Sequence, residues 1–206
     1  MKTESLGGFD RFRVPAALLV IAIHTGPLLS LNGEANYLLT DILARIAVPF
    51  FFSVSGWFLV PRLLREGRAA LIPFVKKLLL LYGAAVLLYL PLNLYNHTLE
   101  ESGFALLRDV LFNGTLYNLW YFPALVLGAC LVYGLLRILG PRWAWLPALL
   151  LYAAGLLGDS YFGLTAALPP LRAGYEALFL LFDYTRNGLF FPPVFLLLGG
   201  WLALRP

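Results

Sequence analysis

Charged residues are scarce in this 206-residue chain, at 13%, whereas hydrophobic residues make up 61%. A soluble domain of average composition has about 25% charged and about 45–50% apolar residues. The apolar residues form long runs without the alternation of barrel strands, which argues for membrane-spanning helices. The aromatic fraction, 16%, suits the aromatic belts at the two membrane interfaces. We therefore predict an all-α fold, a polytopic transmembrane helical bundle in a lipid bilayer.

Cysteine and histidine are also rare. The single cysteine, Cys130, lies inside an apolar run, so this chain can build neither an internal disulfide nor a cysteine metal site. No metal-ligand spacing, nucleotide-binding loop or serine-hydrolase motif occurs. The net charge of +4 comes from basic residues in short loops, where membrane topology rules place them. We predict no metal, no permanently bound cofactor and no nucleic-acid partner.

Six apolar runs predict about six membrane spans. Asp10 can cap the first helix and Pro15 suits its first turn, and we expect this helix to continue to about Leu31 as a retained span. A short acidic loop is expected at residues 32–41. The other five spans are expected at residues 42–60, 78–94, 119–139, 143–157 and 189–206.

Local sequence features predict further details of the six-span arrangement. Pro49 predicts a kink in the second span, and Gly56 predicts that a neighbouring helix approaches it closely. Residues 96–115 carry apolar side chains at helical spacing, which predicts a short helix at the membrane interface. Residues 158–188 are expected to form a long loop whose apolar middle, residues 175–182, is partly buried.

Basic residues divide unequally between the two sides of this six-span arrangement. The side that holds both termini has eleven of them: Lys2, Arg11, Arg13, Arg62, Arg65, Arg68, Lys76, Lys77, Arg137, Arg142 and Arg205. The opposite side has four: Arg45, Arg108, Arg172 and Arg186. The positive-inside rule therefore predicts that both termini are cytoplasmic.

Arg13 and His24 are the first candidate functional residues. Eleven residues of helix turn by about 1100°, which is close to three full turns, so both side chains lie on one face with a rise of about 16 Å. Arg13 then lies at the cytoplasmic edge, where the positive-inside rule alone could explain it. A histidine inside a membrane span is costly and is a functional-site hypothesis by default. With an unperturbed pKa of about 6.5, His24 suits a general base, although a packing role or a proton relay also fits.

Other candidates have plain alternative explanations. Arg62 and Arg65, with Arg68, could bind a polyphosphate through bidentate hydrogen bonds or simply make a cytoplasmic loop basic. Ser55 could line a site or bond to the preceding helical turn. Trp120 could contact a ligand or belong to an aromatic belt.

These features together resemble the membrane acyltransferase-3 family. The resemblance is carried by the spacing of Arg13 and His24, by VPFFFSVSGWFL in the second span, by the Arg62 and Arg65 pair, and by LWYFPAL. The segments GFDRFRVPAALLVIAIHTGPL and RNGLFFPPVFLLLGG are most similar to the branch that contains the membrane domains of VanT-type serine racemases. Residues 1–206 would then be a single integral-membrane domain, the N-terminal part of a family domain that usually has more spans.

The resemblance implies a function at the bacterial inner membrane. A multi-pass O-acyltransferase would move an acyl group from cytoplasmic acyl-CoA, such as acetyl-CoA, to a hydroxyl of an extracytoplasmic cell-envelope acceptor. His24 would be the general base, Arg13, Arg62 and Arg65 would hold phosphates of the CoA, and Ser55 and Trp120 would line the site.

Two alternatives remain open. The serine racemase branch suggests a small-molecule permease module for serine, with a fused or neighbouring domain outside this chain. The chain could also be an inactive, truncated fragment.

Overall fold

The computed structural model describes residues 7–96, 102–115 and 117–205, without the side chains of Gly7, Phe9, Tyr117 and Asn118. Lys2, Glu100 and Glu101 therefore lie outside the described residues. All regular elements in the described part are helices. The predicted all-α class is confirmed.

Ten α-helices follow one another in the described part of the chain. They are α1 Gly7–Thr25, α2 Gly33–Tyr37, α3 Ala47–Glu66, α4 Arg68–Tyr95, α5 Gly103–Arg108, α6 Tyr121–Trp143, α7 Trp145–Gly158, α8 Phe162–Ala166, α9 Pro169–Phe179 and α10 Pro192–Ala203. Two π-helical segments, Leu38–Leu43 and Asp109–Asn113, and two 3₁₀ segments, Ala44–Ile46 and Tyr117–Trp120, join some of them.

Three helical segments within the described residues are long and apolar enough to cross a membrane. They are Gly33–Glu66, Arg68–Tyr95 and Tyr121–Trp143. The helices α7 and α10 are apolar but shorter, with 14 and 12 residues. A perpendicular crossing of the hydrocarbon core needs about 20 residues. The membrane character of the chain is therefore supported by three helices, and six spans remain a prediction.

The predicted end of the first helix and the predicted loop after it are both wrong. The helix α1 ends at Thr25 and not at Leu31, because Gly26 adopts φ +53° and Pro27 follows it. The predicted acidic loop at residues 32–41 is instead helical from Gly33 onward. Asn32 begins this helix, since its side chain accepts a hydrogen bond from the Ala35 N–H at 3.0 Å.

The segment before Pro49 shows where this proline disturbs the helix. A proline removes one helical hydrogen bond and its ring crowds the carbonyl four residues earlier, which here belongs to Arg45. The backbone changes to π-helical geometry at Leu38–Leu43 and to 3₁₀ geometry at Ala44–Ile46. The irregularity is thus close to the predicted kink, and the helix continues through it to Glu66.

Close packing of α3 on α10 forms the centre of the bundle. The two helices run parallel, because Phe52 contacts Phe191 and Val60 meets Gly200. A Cβ atom on Gly56 would collide with the backbone carbonyl of Leu196, so the predicted close approach at Gly56 is confirmed. Because glycine has no side chain, the two helix backbones can meet, as is typical of small residues in membrane helices.

The helix α4 turns back beside α3. Gly67, with φ +58°, makes the tight reversal, so α4 begins at Arg68 and not at the predicted residue 78. It packs mainly against α6 and α3. Since α3 and α10 run parallel, Arg65 and Arg205, which lies just beyond α10, are at the same end of the bundle.

The segments expected outside the membrane are partly helical. The helix predicted in residues 96–115 is present as α5 and the π-helical segment after it. The loop predicted at residues 158–188 is corrected, because it contains α8 and α9. Tyr175 and Phe182, which bound its apolar middle, are buried as predicted.

Hydroxyl groups attach this stretch to the end of α7. The last carbonyl groups of a helix lack partners within it and attract donors from elsewhere. Three side chains donate to carbonyl oxygens near this end: Thr165 to Leu157 at 2.9 Å, Tyr175 to Ala154 at 2.7 Å, and Thr185 to Gly155 at 2.6 Å. These bonds hold α8, α9 and the residues around Thr185 against α7.

Candidate functional site

A cavity of about 550 Å³ lies where α1, the segment around residues 37–49, the end of α7 and residues 185–191 meet. Its wall is apolar and aromatic in part, with Trp120, Tyr152 and Phe191 among the lining residues. His24 contributes to the same wall. Concave, mostly apolar pockets of this size with a few polar groups are typical ligand sites.

The end of α1 positions His24. This residue is in the last turn of the helix, just before the Gly26 reversal. The chain after the reversal is tied back, because the Leu28 N–H donates to the Asn36 side-chain oxygen at 3.2 Å. His24 is an exposed residue of the cavity wall, at the end of a helix that packs against the π-helical segment Leu38–Leu43.

An ion pair on the helical segment Gly33–Glu66 also lines the cavity. Arg45 donates to the Asp41 carboxylate at 3.0 Å, as their four-residue spacing predicts. Asp41 also accepts a hydrogen bond from the Thr40 hydroxyl at 2.9 Å, and Thr40 is buried. The carboxylate is thus held by two donors from its own helix.

A second ion pair closes another part of the wall. Arg186 Nε lies 2.9 Å from Asp159 Oδ2, joining the residues that precede α10 to the end of α7. The contact is an ion pair and not an aligned hydrogen bond, because the Nε–H is not directed at that oxygen. The guanidinium also lies 5.6 Å from the centre of the Tyr184 ring, a cation–π distance.

The two residues predicted to line the site, Trp120 and Ser55, lie in different places. Trp120 lines the cavity and packs against the rings of Phe52 and Tyr184. Ser55 is not among the lining residues, and its hydroxyl donates to the Phe51 carbonyl at 2.9 Å. The structure therefore brings Trp120 and His24 to one cavity and leaves Ser55 outside it.

The three predicted phosphate-binding arginines lie at two depths. The rings of Phe12 and Phe50 are 4.8 Å apart, which places Arg13 beside the first turn of α3. Arg62 is twelve residues beyond Phe50, or about 18 Å further along the helix. Arg13 is therefore not level with Arg62 and Arg65, although the count of basic residues placed all three at the cytoplasmic edge. Arg13 pairs with Asp10 at 2.9 Å. Arg62 and Arg65 share Glu66, at 3.4 and 3.6 Å.

The chain is matched over residues 6–205 by a family model described as an acyltransferase domain. It belongs to the acyltransferase-3 family. This acyltransferase-3 domain is 45% identical, over its whole length, to an amino-acid racemase of Enterococcus faecalis, and 41% identical to another over 93% of the chain. It is 45% identical, again over 93% of the chain, to a serine/alanine racemase of Enterococcus gallinarum. The predicted resemblance to the family and to its racemase branch is confirmed.

The acyltransferase-3 domain spans less than a third of these relatives, 29% of the first and 28% of each of the other two. Their names therefore describe much longer proteins. No solved structure matches the domain.

Some of the residues that line the cavity were not predicted from the sequence. Asp159, Thr185 and Arg186 line it although they are far from His24 in the chain. The only signal for them was that Arg186 begins the RNGLFFPPVF segment, which carried part of the resemblance. Within the described residues, no three His, Cys, Asp or Glu side chains come together as a metal site.

Proposed function

We propose that this domain transfers an acyl group from cytoplasmic acyl-CoA to a hydroxyl of an extracytoplasmic acceptor, with His24 as general base. The supporting observation is that His24 of an acyltransferase-3 domain lines a cavity large enough for a ligand group. A histidine there can accept the proton of a hydroxyl as its oxygen attacks the thioester carbonyl.

The donor would bind from the basic end of the bundle. Arg62 and Arg65 are exposed, and each shares Glu66 in a loose surface pair. Such pairs contribute about 0–1 kcal/mol, so phosphate groups of CoA can replace the carboxylate at little cost. Pro49 lines the cavity, and Arg62 is about 20 Å further along α3, a distance suited to an extended pantetheine arm. Arg13, beside the first turn of α3, would contact the donor nearer the thioester.

The test measures acetyl transfer in bacterial membrane vesicles that contain the domain. Radiolabelled acetyl-CoA is supplied at the cytoplasmic face, and labelled ester in the envelope fraction is counted. We expect His24→Ala to lower the rate by about 10²–10⁴-fold, the usual contribution of a general base. Thr25→Ala, a change at the neighbouring exposed residue, is the control. A rate in His24→Ala equal to wild type would refute the mechanism.

A second candidate is an amino-acid permease module, suggested by the serine/alanine racemase relative. The cavity carries two carboxylates and two guanidiniums, which could bind the ammonium and carboxylate groups of an amino acid. Uptake of radiolabelled serine into vesicles tests it. Uptake no greater than in vesicles without the domain would exclude it.

A further inference from the structure

Acyl transfer at His24 requires a group that stabilises negative charge on the acyl carbonyl oxygen. Attack by a hydroxyl turns this oxygen into an oxyanion, and a pre-positioned hydrogen-bond donor there often provides the largest single contribution to catalysis. The need for such a donor follows from the proposed function, on which this inference rests. Two guanidinium groups line the cavity, those of Arg45 and Arg186.

The two arginines differ in how firmly they are held. The side chain of Arg45 is 49% exposed, and its partner Asp41 is on the same helix, four residues earlier. The side chain of Arg186 is 33% exposed, and its partner Asp159 belongs to a different element. Arg186 is therefore held by the tertiary fold.

The backbone on both sides of Arg186 is also fixed. Thr185 is buried and donates to the Gly155 carbonyl at 2.6 Å. Asn187 is buried as well, and its side chain donates to the Tyr184 carbonyl and accepts from the Leu189 N–H. A donor whose backbone and charge partner are both fixed needs little reorganisation during a reaction, which is the property required of an oxyanion donor.

The guanidinium of Arg186 is placed where it can contact a ligand in the cavity. The contact of the pair joins Asp159 Oδ2 to Nε, the guanidinium nitrogen nearest the main chain, and Arg186 is among the residues that line the cavity. Both His24 and Arg186 line the cavity of about 550 Å³. A thioester bound in this cavity can therefore lie between the two side chains, with its carbonyl oxygen toward Arg186.

We propose that Arg186 is a further catalytic residue, which donates a hydrogen bond to the acyl carbonyl oxygen, and that Asp159 is its positioning residue. In the forward step the acceptor hydroxyl loses its proton to His24 and its oxygen bonds to the thioester carbonyl carbon. The carbonyl electron pair moves to the oxygen that Arg186 contacts. When the carbonyl reforms, the carbon–sulfur bond breaks and the CoA thiolate takes the proton from His24. The products are an ester and free CoA.

The experiment uses the vesicle assay with acetyl-CoA. We expect Arg186→Ala to lower kcat by about 10²–10³-fold, the usual cost of one oxyanion donor, with little change in KM for acetyl-CoA. Millimolar guanidinium chloride, far below denaturing concentrations, should restore part of the kcat, because the free ion can occupy the vacated space. Arg45→Ala should lose much less, and Arg172→Ala, outside the cavity, is the control.

A purely structural role for Arg186 predicts a different pattern. The variant Asp159→Leu/Arg186→Leu replaces the ion pair by apolar side chains, a change that folded proteins often tolerate. If this double variant melts like wild type and is inactive, the catalytic role is supported even without rescue by guanidinium. If it is active, or if Arg186→Ala keeps the wild-type kcat, the inference is overturned. Should wild type and His24→Ala transfer equally, the proposed function itself fails.

Discussion

Gly56 of α3 meets the backbone of Leu196 in α10, so the two helices touch without an intervening side chain at position 56. Replacing Gly56 by alanine would force this contact apart. Overpacking of a close interface costs about 1–3 kcal/mol. We expect Gly56→Ala to lower the melting temperature of the purified domain in detergent.

Gly83 of α4 provides the matched control for this change. A Cβ atom at Gly83 would meet nothing within 4 Å. Since glycine within a helix is destabilising by about 0.5–1 kcal/mol relative to alanine, Gly83→Ala should be neutral or stabilising. Equal melting temperatures for the two variants would contradict the packing described for α3 and α10.

Thr185 links the residues before α10 to α7. Thr185→Val keeps the shape of the side chain but leaves the Gly155 carbonyl without this donor, which costs about 1–3 kcal/mol when the group is buried. We expect a lower melting temperature for Thr185→Val and a smaller decrease for Thr185→Ser, which keeps the donor but removes a buried methyl group packed at Gly158. Thr25→Val removes a similar bond at an exposed site, to the Ile21 carbonyl, and should have a much smaller effect. Similar losses for Thr25→Val and Thr185→Val would count against the role of burial.

The orientation of the bundle can be measured by cysteine labelling in intact cells. In a Cys130→Ala background, a membrane-impermeant maleimide should label Arg172→Cys and leave Arg65→Cys unlabelled. The two side chains are similarly exposed, 60% and 65%, so accessibility differs only by the side of the membrane. The reverse labelling pattern would show that the positive-inside count gave the wrong orientation.

Arg62 and Arg65 should act on the donor through its phosphate groups. We expect Arg62→Ala/Arg65→Ala to raise KM for acetyl-CoA roughly tenfold or more, because charge-assisted hydrogen bonds are worth about 1.5–3 kcal/mol each. The effect should disappear with S-acetylpantetheine, a donor without phosphates. Arg205→Ala, at the same end of the bundle and packed over Trp201, is the control. An equal rise in KM with both donors would show that the two arginines do not bind phosphate.

Local patterns in the sequence predicted features that depend on neighbouring residues. The helical spacing of apolar residues within 96–115 predicted α5 and the segment after it, and the kink predicted at Pro49 lies close to the π-helical and 3₁₀ segments. The first helix was predicted too long because apolar residues continue past Gly26, whose positive φ ends it. The stretch at residues 32–41 was read as a loop from its acidic residues, although Asn32 is a good helix cap.

The sequence by itself determined the helical, membrane-like character of the chain and its family, because composition, helical period and motif spacing are properties of local sequence. Only the tertiary structure decided that Trp120 shares a cavity with His24 and that Ser55 does not. It also decided that Arg186 pairs with Asp159, 27 positions earlier in the chain. Such pairings depend on how α8 and α9 fold back onto α7, and no local periodicity encodes that path.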